Sequence, residues 1–131
     1  MDKVLIDTSV WITFFRGKDK KVIDEVSSLL QKGRAVIAGI VLMELLQGAL
    51  NEKELDNIST LLDPVERIDP SARQWEEAGR LSYRLRKKGA TTATVDTLLA
   101  MLAIENDCSL FTEDRHFEII EKQSDLRLYP S

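Results

Sequence analysis

Val4-Leu5-Ile6-Asp7-Thr8-Ser9 sets three apolar residues, two of them β-branched, directly before a carboxylate and two hydroxyls. The apolar triplet reads as a short strand buried on both faces, as in a parallel sheet. Val10-Trp11-Ile12-Thr13-Phe14-Phe15, closed by Gly17, follows as a short helix with a glycine stop. In open parallel sheets ligands bind beyond the carboxyl ends of the strands, so Asp7 falls where chemistry is placed. The plain alternative is that Asp7, Thr8 or Ser9 only caps the following helix.

Outward from this stretch the same alternation continues. Val22, Ile23, Val26, Leu29 and Leu30 recur with helical spacing and stop at Gly33. Ala35 to Ala38 is a second buried strand, followed by a helix from about Ile40 towards Gly48 that carries Glu44. Leu55, Ile58, Leu61 and Leu62 mark another helix, which Asp63-Pro64 stops. Val65 to Ile68 reads as a third strand and Ser71 to Lys88 as a helix ended by Gly89. A threonine-rich loop leads into the most apolar helix of the chain, from Val95 to Asn106. Ser109 to Thr112 is a fourth strand, Phe117 to Lys122 a short helix, and Leu126 to Tyr129 a fifth strand. Strands alternating with helices predict an α/β fold with a mainly parallel sheet, and right-handed crossovers bring the strand ends to one edge.

The 131 residues fit one domain, residues 1–131, without repeat, linker or low-complexity segment. A net charge of −4 gives no bulk attraction to nucleic acid, so a polyanionic partner requires a local basic patch or a metal bridge. The single cysteine, Cys108, excludes an internal disulfide and a cysteine-rich zinc site. Only three apolar residues follow Met1-Asp2-Lys3, too few for a signal peptide, and Glu44 interrupts the apolar run from Ala35 to Met43. These features predict a cytoplasmic protein with no membrane association.

Four of the 22 acidic residues stand apart by their surroundings. Asp7 and Asp114 follow directly on buried strands, Glu44 lies between Val41-Leu42-Met43 and Leu45-Leu46, and Asp96 opens the apolar helix. The helix dipole accounts for part of the placement of Asp96 and is a weak account of Glu44. Carboxylates converging with no lysine or arginine between them either raise their pKa values or hold a cation. Oxygen ligands without a clustered histidine or cysteine favour Mg²⁺ or Mn²⁺ over zinc. Such a cation suits phosphodiester hydrolysis.

Asp7-Thr8-Ser9-Val10-Trp11, Glu44-Leu45 with Gly48, Asp96 with Ala100 and Ala103, and Thr112-Glu113-Asp114-Arg115-His116-Phe117 together resemble the PIN-domain nucleases. Within that family the chain is similar to the VapC toxins of toxin–antitoxin pairs, over nearly its whole length. The resemblance implies a five-stranded sheet of order 3-2-1-4-5 with helices on both faces. It implies divalent-metal-dependent cleavage of an RNA substrate, a homodimer, and a VapB-type antitoxin that occludes the site. Asp7, Asp96, Glu44 and Asp114 match the catalytic, metal-ligating acids. Thr8, Ser9 and Thr112 match hydroxyls that orient them. The departure is Glu113, where the family usually has a neutral or basic residue; it reads as solvent-facing.

Arg80, Arg84, Lys87 and Lys88 fall roughly on one helix face and are candidate RNA contacts, with a solvated face as the plain alternative. Arg16, Lys18, Lys20 and Lys21 are a second basic group. His116 reads as a turn residue beside Phe117 rather than a general base. Three alternatives to the toxin nuclease stay open: a PIN-fold nuclease of RNA processing, a phosphotransfer or phosphatase domain, and a non-catalytic binding module. The phosphatases want a second aspartate where this chain has Ser9, and Thr112-Glu113-Asp114 supplies no receiver-type lysine.

Overall fold

In the computed structural model, which describes residues 2–130, β1 (Val4–Ile6) is wholly buried and has parallel neighbours on both sides. It pairs with β2 (Ala35–Ala38) on one side and β4 (Ser109–Phe111) on the other, while β3 (Glu66–Ile68) extends the sheet beyond β2. The order is β3-β2-β1-β4. The chain moves outward from β1 to β3 and then jumps back across β1 to β4. The switch point therefore lies between β1 and β4.

Helices α1 (Thr8–Arg16) and α2 (Lys20–Gln31) cross from β1 to β2, and α3 (Gly39–Gln47) and α4 (Glu52–Leu62) from β2 to β3. Helices α5 (Ala72–Lys87) and α6 (Thr94–Glu105) form the return crossover, and α7 (Phe117–Gln123) follows β4. Right-handed crossovers running in opposite directions along the sheet put these two groups on opposite faces. Between them lies an apolar cluster in which Leu5, Ile6, Val36, Leu99, Leu102 and Leu110 are at most marginally accessible. Helix α6 is nearly all core: Thr97 through Ala103 are buried. Among the described residues no helix is long and apolar enough to cross a membrane.

Three strands differ from the sequence expectation: β4 ends at Phe111, leaving Thr112 to the site, and the third and fifth are also shortened. Val65 is excluded from β3 because its N–H bonds Leu62 O as part of the turn closing α4. The fifth strand expected at Leu126–Tyr129 lies beside β4, as the order requires, but is reduced to one parallel bridge, Leu110↔Leu128. The N–H groups of Leu126 and Leu128 lie on the edge turned away from β4, where they bond Ser124 Oγ and Glu121 Oε2. Two backbone bonds make the bridge: Leu110 N–H to Arg127 O at 2.9 Å and Tyr129 N–H to Leu110 O at 2.8 Å.

Helix α3 has no side-chain cap from its own N-cap residue, Ala38. Asp69, just past β3, supplies one: its Oδ1 accepts the Gly39 N–H at 2.8 Å. A Cβ at position 39 would lie 2.4 Å from that oxygen. Glycine is thus required for the cap and not for a special backbone angle. Gly39→Ala should push the Asp69 carboxylate aside and cost about what a lost N-cap costs, roughly 1 kcal/mol. Asp69→Ala should cost about the same, and the double variant little more than either alone. Urea denaturation of all four proteins tests this; additive losses would rule out a shared interaction.

Candidate active site

The site is built from the carboxyl ends of β1 and β4. Asp7 caps α1 with its Oδ1, which accepts the Thr8 N–H at 2.8 Å. The cap and the candidate catalytic acid are therefore one residue, and the two sequence readings of Asp7 do not compete. Its Oδ2 accepts from Ser9 Oγ at 3.0 Å and from Thr112 Oγ1 at 2.8 Å. Strand pairing makes the second bond: Ile6 is in register with Phe111, and Asp7 N–H bonds Phe111 O at 2.9 Å. The next residue on each strand then faces its neighbour.

The two hydroxyls are themselves oriented. Thr112 Oγ1 accepts the Asp114 N–H at 3.0 Å, and Ser9 Oγ accepts the Glu113 N–H at 3.1 Å. Each hydroxyl has its proton committed to Asp7 and a lone pair committed to the β4–α7 turn. Thr8 turns the other way and donates its Oγ1 to Glu44 Oε1 at 2.8 Å. Three consecutive residues thus tie α1 to β4, to the turn after it, and to α3.

Asp96 lies in the first turn of α6, and its pKa is raised, first by burial and then by the charges of Asp114 and Asp7, with Glu44 adding. That ordering puts all four predicted acids in one electrostatic neighbourhood. Asp7 is only 8% exposed, and burial raises its pKa as well. The Thr112, Ser9 and Thr8 hydrogen bonds pull the other way, and the Glu44 charge pushes up again. Among the described residues no lysine or arginine makes an ion pair with any of the four.

His116 joins this group. Its Nδ1 lies 3.1 Å from Asp114 Oδ1, and ligand atoms of Asp96, Asp114 and His116 fall within 4.8 Å of one another. Its signal in the sequence was the Asp-x-His spacing in a tight turn, where Asp114 Oδ1 also accepts the His116 N–H. Glu113 is exposed, and its Oε1 accepts from Thr13 Oγ1 at 2.6 Å, pinning the turn to α1. His116 within reach removes the ground on which the sequence set Mg²⁺ or Mn²⁺ above zinc; the donor set, carboxylates with one imidazole, fits a divalent cation.

The candidate RNA contacts divide. Arg80 is paired with Glu76 at 3.4 Å, Lys87 lies over the Tyr83 ring, and Arg84 and Lys88 line a groove of about 340 Å³ between α5, α6 and the end of α7. None of the four acids lines that groove.

The raised Asp7 pKa means that the folded protein binds this proton more tightly than the unfolded chain. Its contribution to stability is most favourable below the unfolded value and is lost as pH rises through the folded one. Without metal, Asp7→Asn should be at least as stable as the parent at neutral pH, and the difference should shrink as pH falls. Chemical denaturation in EDTA across the acid range checks this; a parent whose advantage grows with pH would contradict it.

The sequence matches the PIN domain family over residues 4–123. Among curated proteins, the chain is 29% identical to the ribonuclease VapC11 of Mycobacterium tuberculosis over 128 residues, covering 95% of this chain and 96% of that one. It is 25% identical to the ribonuclease VapC1 of Haemophilus influenzae over 114 residues, covering 84% and 85%. Among solved structures, VapBC2 from Rickettsia felis, bound to a DNA fragment from its promoter, superposes with a TM-score of 0.81 at 23% identity, covering 96% of each chain. VapBC-1 from nontypeable Haemophilus influenzae gives 0.76 at 24%, again covering 96% of each. With the parallel sheet, its switch point and the family match running from β1 to the end of α7, the chain belongs to the PIN-domain family.

Proposed function

We propose that this protein is a divalent-metal-dependent endoribonuclease, the toxin of a VapBC-type pair, hydrolysing RNA phosphodiester bonds at Asp7, Glu44, Asp96 and Asp114. The observation that carries the reading is the burial of Asp7 among other carboxylates, with hydroxyl and amide donors but, among the described residues, no ion-pair partner. A buried charge left in that state is costly unless a ligand compensates it. The named ribonucleases among its relatives, aligned over nearly the whole chain, supply the substrate class.

Asp7, Asp96 and Asp114 would hold Mg²⁺ or Mn²⁺, with Glu44 completing the set. When bound, a divalent cation offsets the charge of a phosphodiester and makes a nearby water easier to deprotonate. The chain's own work is positioning. Thr112 and Ser9 fix the Asp7 carboxylate, so it need not reorganise during reaction. Thr8 holds Glu44 at the edge of the site, where it orients the attacking water. A PIN-fold nuclease of RNA processing would use the same acids, and the VapC relatives favour the toxin. The proposed partners are a VapB-type antitoxin and a second copy of the chain, in the cytoplasm.

Asp7→Asn and Asp96→Asn should each lower cleavage of an RNA panel by at least a hundredfold while far-UV circular dichroism stays unchanged. The amide preserves shape but surrenders the charge that draws the cation. EDTA should abolish cleavage by the parent, and Mg²⁺ or Mn²⁺ should restore it. Rapid cleavage by well-folded Asp7→Asn, or cleavage indifferent to EDTA, would overturn the assignment.

A further inference from the structure

The outward face of α5 carries Trp75, Glu76, Gly79, Arg80, Tyr83, Arg86 and Lys87, all exposed, opposite the buried Ala78 and Leu85. Trp75 is 57% exposed and Tyr83 is 53% exposed, and among the described residues they are the two exposed aromatic side chains. They lie eight residues apart, about 12 Å along the helix axis. Gly79 sits between them, and a Cβ there would meet nothing within 4 Å, so the two rings are separated by an open notch.

Cations surround the second ring. Arg86 Cζ and Lys87 Nζ each lie 5.6 Å from the Tyr83 centroid. Neither makes an ion pair among the described residues, whereas Glu76, the one acid on this face, is already matched by Arg80. Between Ser71 and Ala90 six cations stand against two carboxylates, in a chain whose net charge is −4. On the face itself Arg80, Arg86 and Lys87 stand against Glu76, while Arg84 and Lys88 turn to the groove beside α6.

We propose that this face of α5 is a docking surface for single-stranded RNA, with Tyr83 stacking on a base and Arg86 and Lys87 meeting the adjoining phosphates. The inference rests on the proposed ribonuclease function for its ligand class. Stacking is indifferent to base identity and charge contacts are indifferent to sequence, so this surface gives affinity and leaves selection to the acid site. A second copy of the chain fits worse: across a two-fold axis the face would meet itself, bringing like charges together. Six-residue spacing between Lys87 and Thr94 keeps the face within one loop of the helix that carries Asp96.

The test measures binding of the full-length protein in EDTA to a fluorescein-labelled, mixed-sequence 20-nucleotide RNA by anisotropy. Tyr83→Ala should weaken binding about tenfold, and Tyr83→Phe should bind like the parent. Arg86→Gln with Lys87→Gln should flatten the dependence of log affinity on log salt by about 1.4, the loss expected for two phosphate contacts on a single strand. All are exposed helical positions, so folding is not at stake. Tyr83→Ala binding like the parent, or a parent with no measurable RNA affinity, overturns the proposal. Trp75→Ala or Tyr83→Ala changing the molecular mass by light scattering with RNA affinity intact overturns it in favour of self-association. The ribonuclease reading fails separately: a parent that binds RNA through α5 but cleaves nothing with Mg²⁺ or Mn²⁺ keeps this surface and loses that function.

Discussion

The bond between Thr112 Oγ1 and Asp7 Oδ2 joins the first strand of the chain to the fourth, 105 residues later. It exists because β1 and β4 are parallel and in register, and that adjacency exists because the chain reverses its direction of travel across the sheet. Parallel pairing gives both strands their carboxyl ends on one edge, so consecutive residues past each strand meet without further adjustment. The site is thus a consequence of topology before it is a consequence of any side chain.

Burial then sets the chemistry of that edge. Asp7 is inaccessible enough for desolvation to raise its pKa, yet three donors resist the rise. The hydroxyl donors cannot swing away, because each also accepts a backbone N–H from the β4–α7 turn. The same turn carries Asp114 and His116, and the Thr13–Glu113 contact ties it to α1. Moving Asp7 or the Asp114 turn would require breaking hydrogen bonds at Thr112 that serve the other. Rigidity of this kind is what a preorganised electrostatic site requires.

Much of this was legible in the sequence because the signals were local. Val4 to Ile6 has the unbroken apolar pattern of a central parallel strand, and Asp7 follows it at once. The helices carrying Glu44 and Asp96 announce themselves by apolar runs. What was not legible depends on contacts between distant segments. The tail beyond Leu126 reads like a strand, but its pairing with β4 stops after one bridge, made by Arg127 O and Tyr129 N–H on Leu110. Val65 reads as strand by composition, and only its hydrogen bond to Leu62 assigns it to a helix end. The basic run read as one helix face; the fold divides it between an ion pair, a groove and an aromatic ring. His116 looked like a turn residue, and it is one, but with Asp114 of the same turn it stands beside Asp96.

The separation of charge across the molecule constrains how a polyanion approaches it. Among the described residues the four acids make no ion pair with a lysine or arginine, while α5 carries cations in excess. At physiological ionic strength the Debye length is about 8 Å, so fields from exposed groups fade within a helix diameter or so. A nucleic acid chain drawn to α5 therefore feels the acid site only where it passes close to it, and there the bare carboxylates repel it. A cation in that site reverses the sign of the local interaction. For the proposed ribonuclease, RNA affinity and metal occupancy are then thermodynamically linked: whatever fraction of RNA binding energy comes from contact at the acids must appear equally as tighter metal binding when RNA is present. Contacts confined to α5 contribute nothing to that linkage, which is how the two surfaces are distinguished in energetic terms.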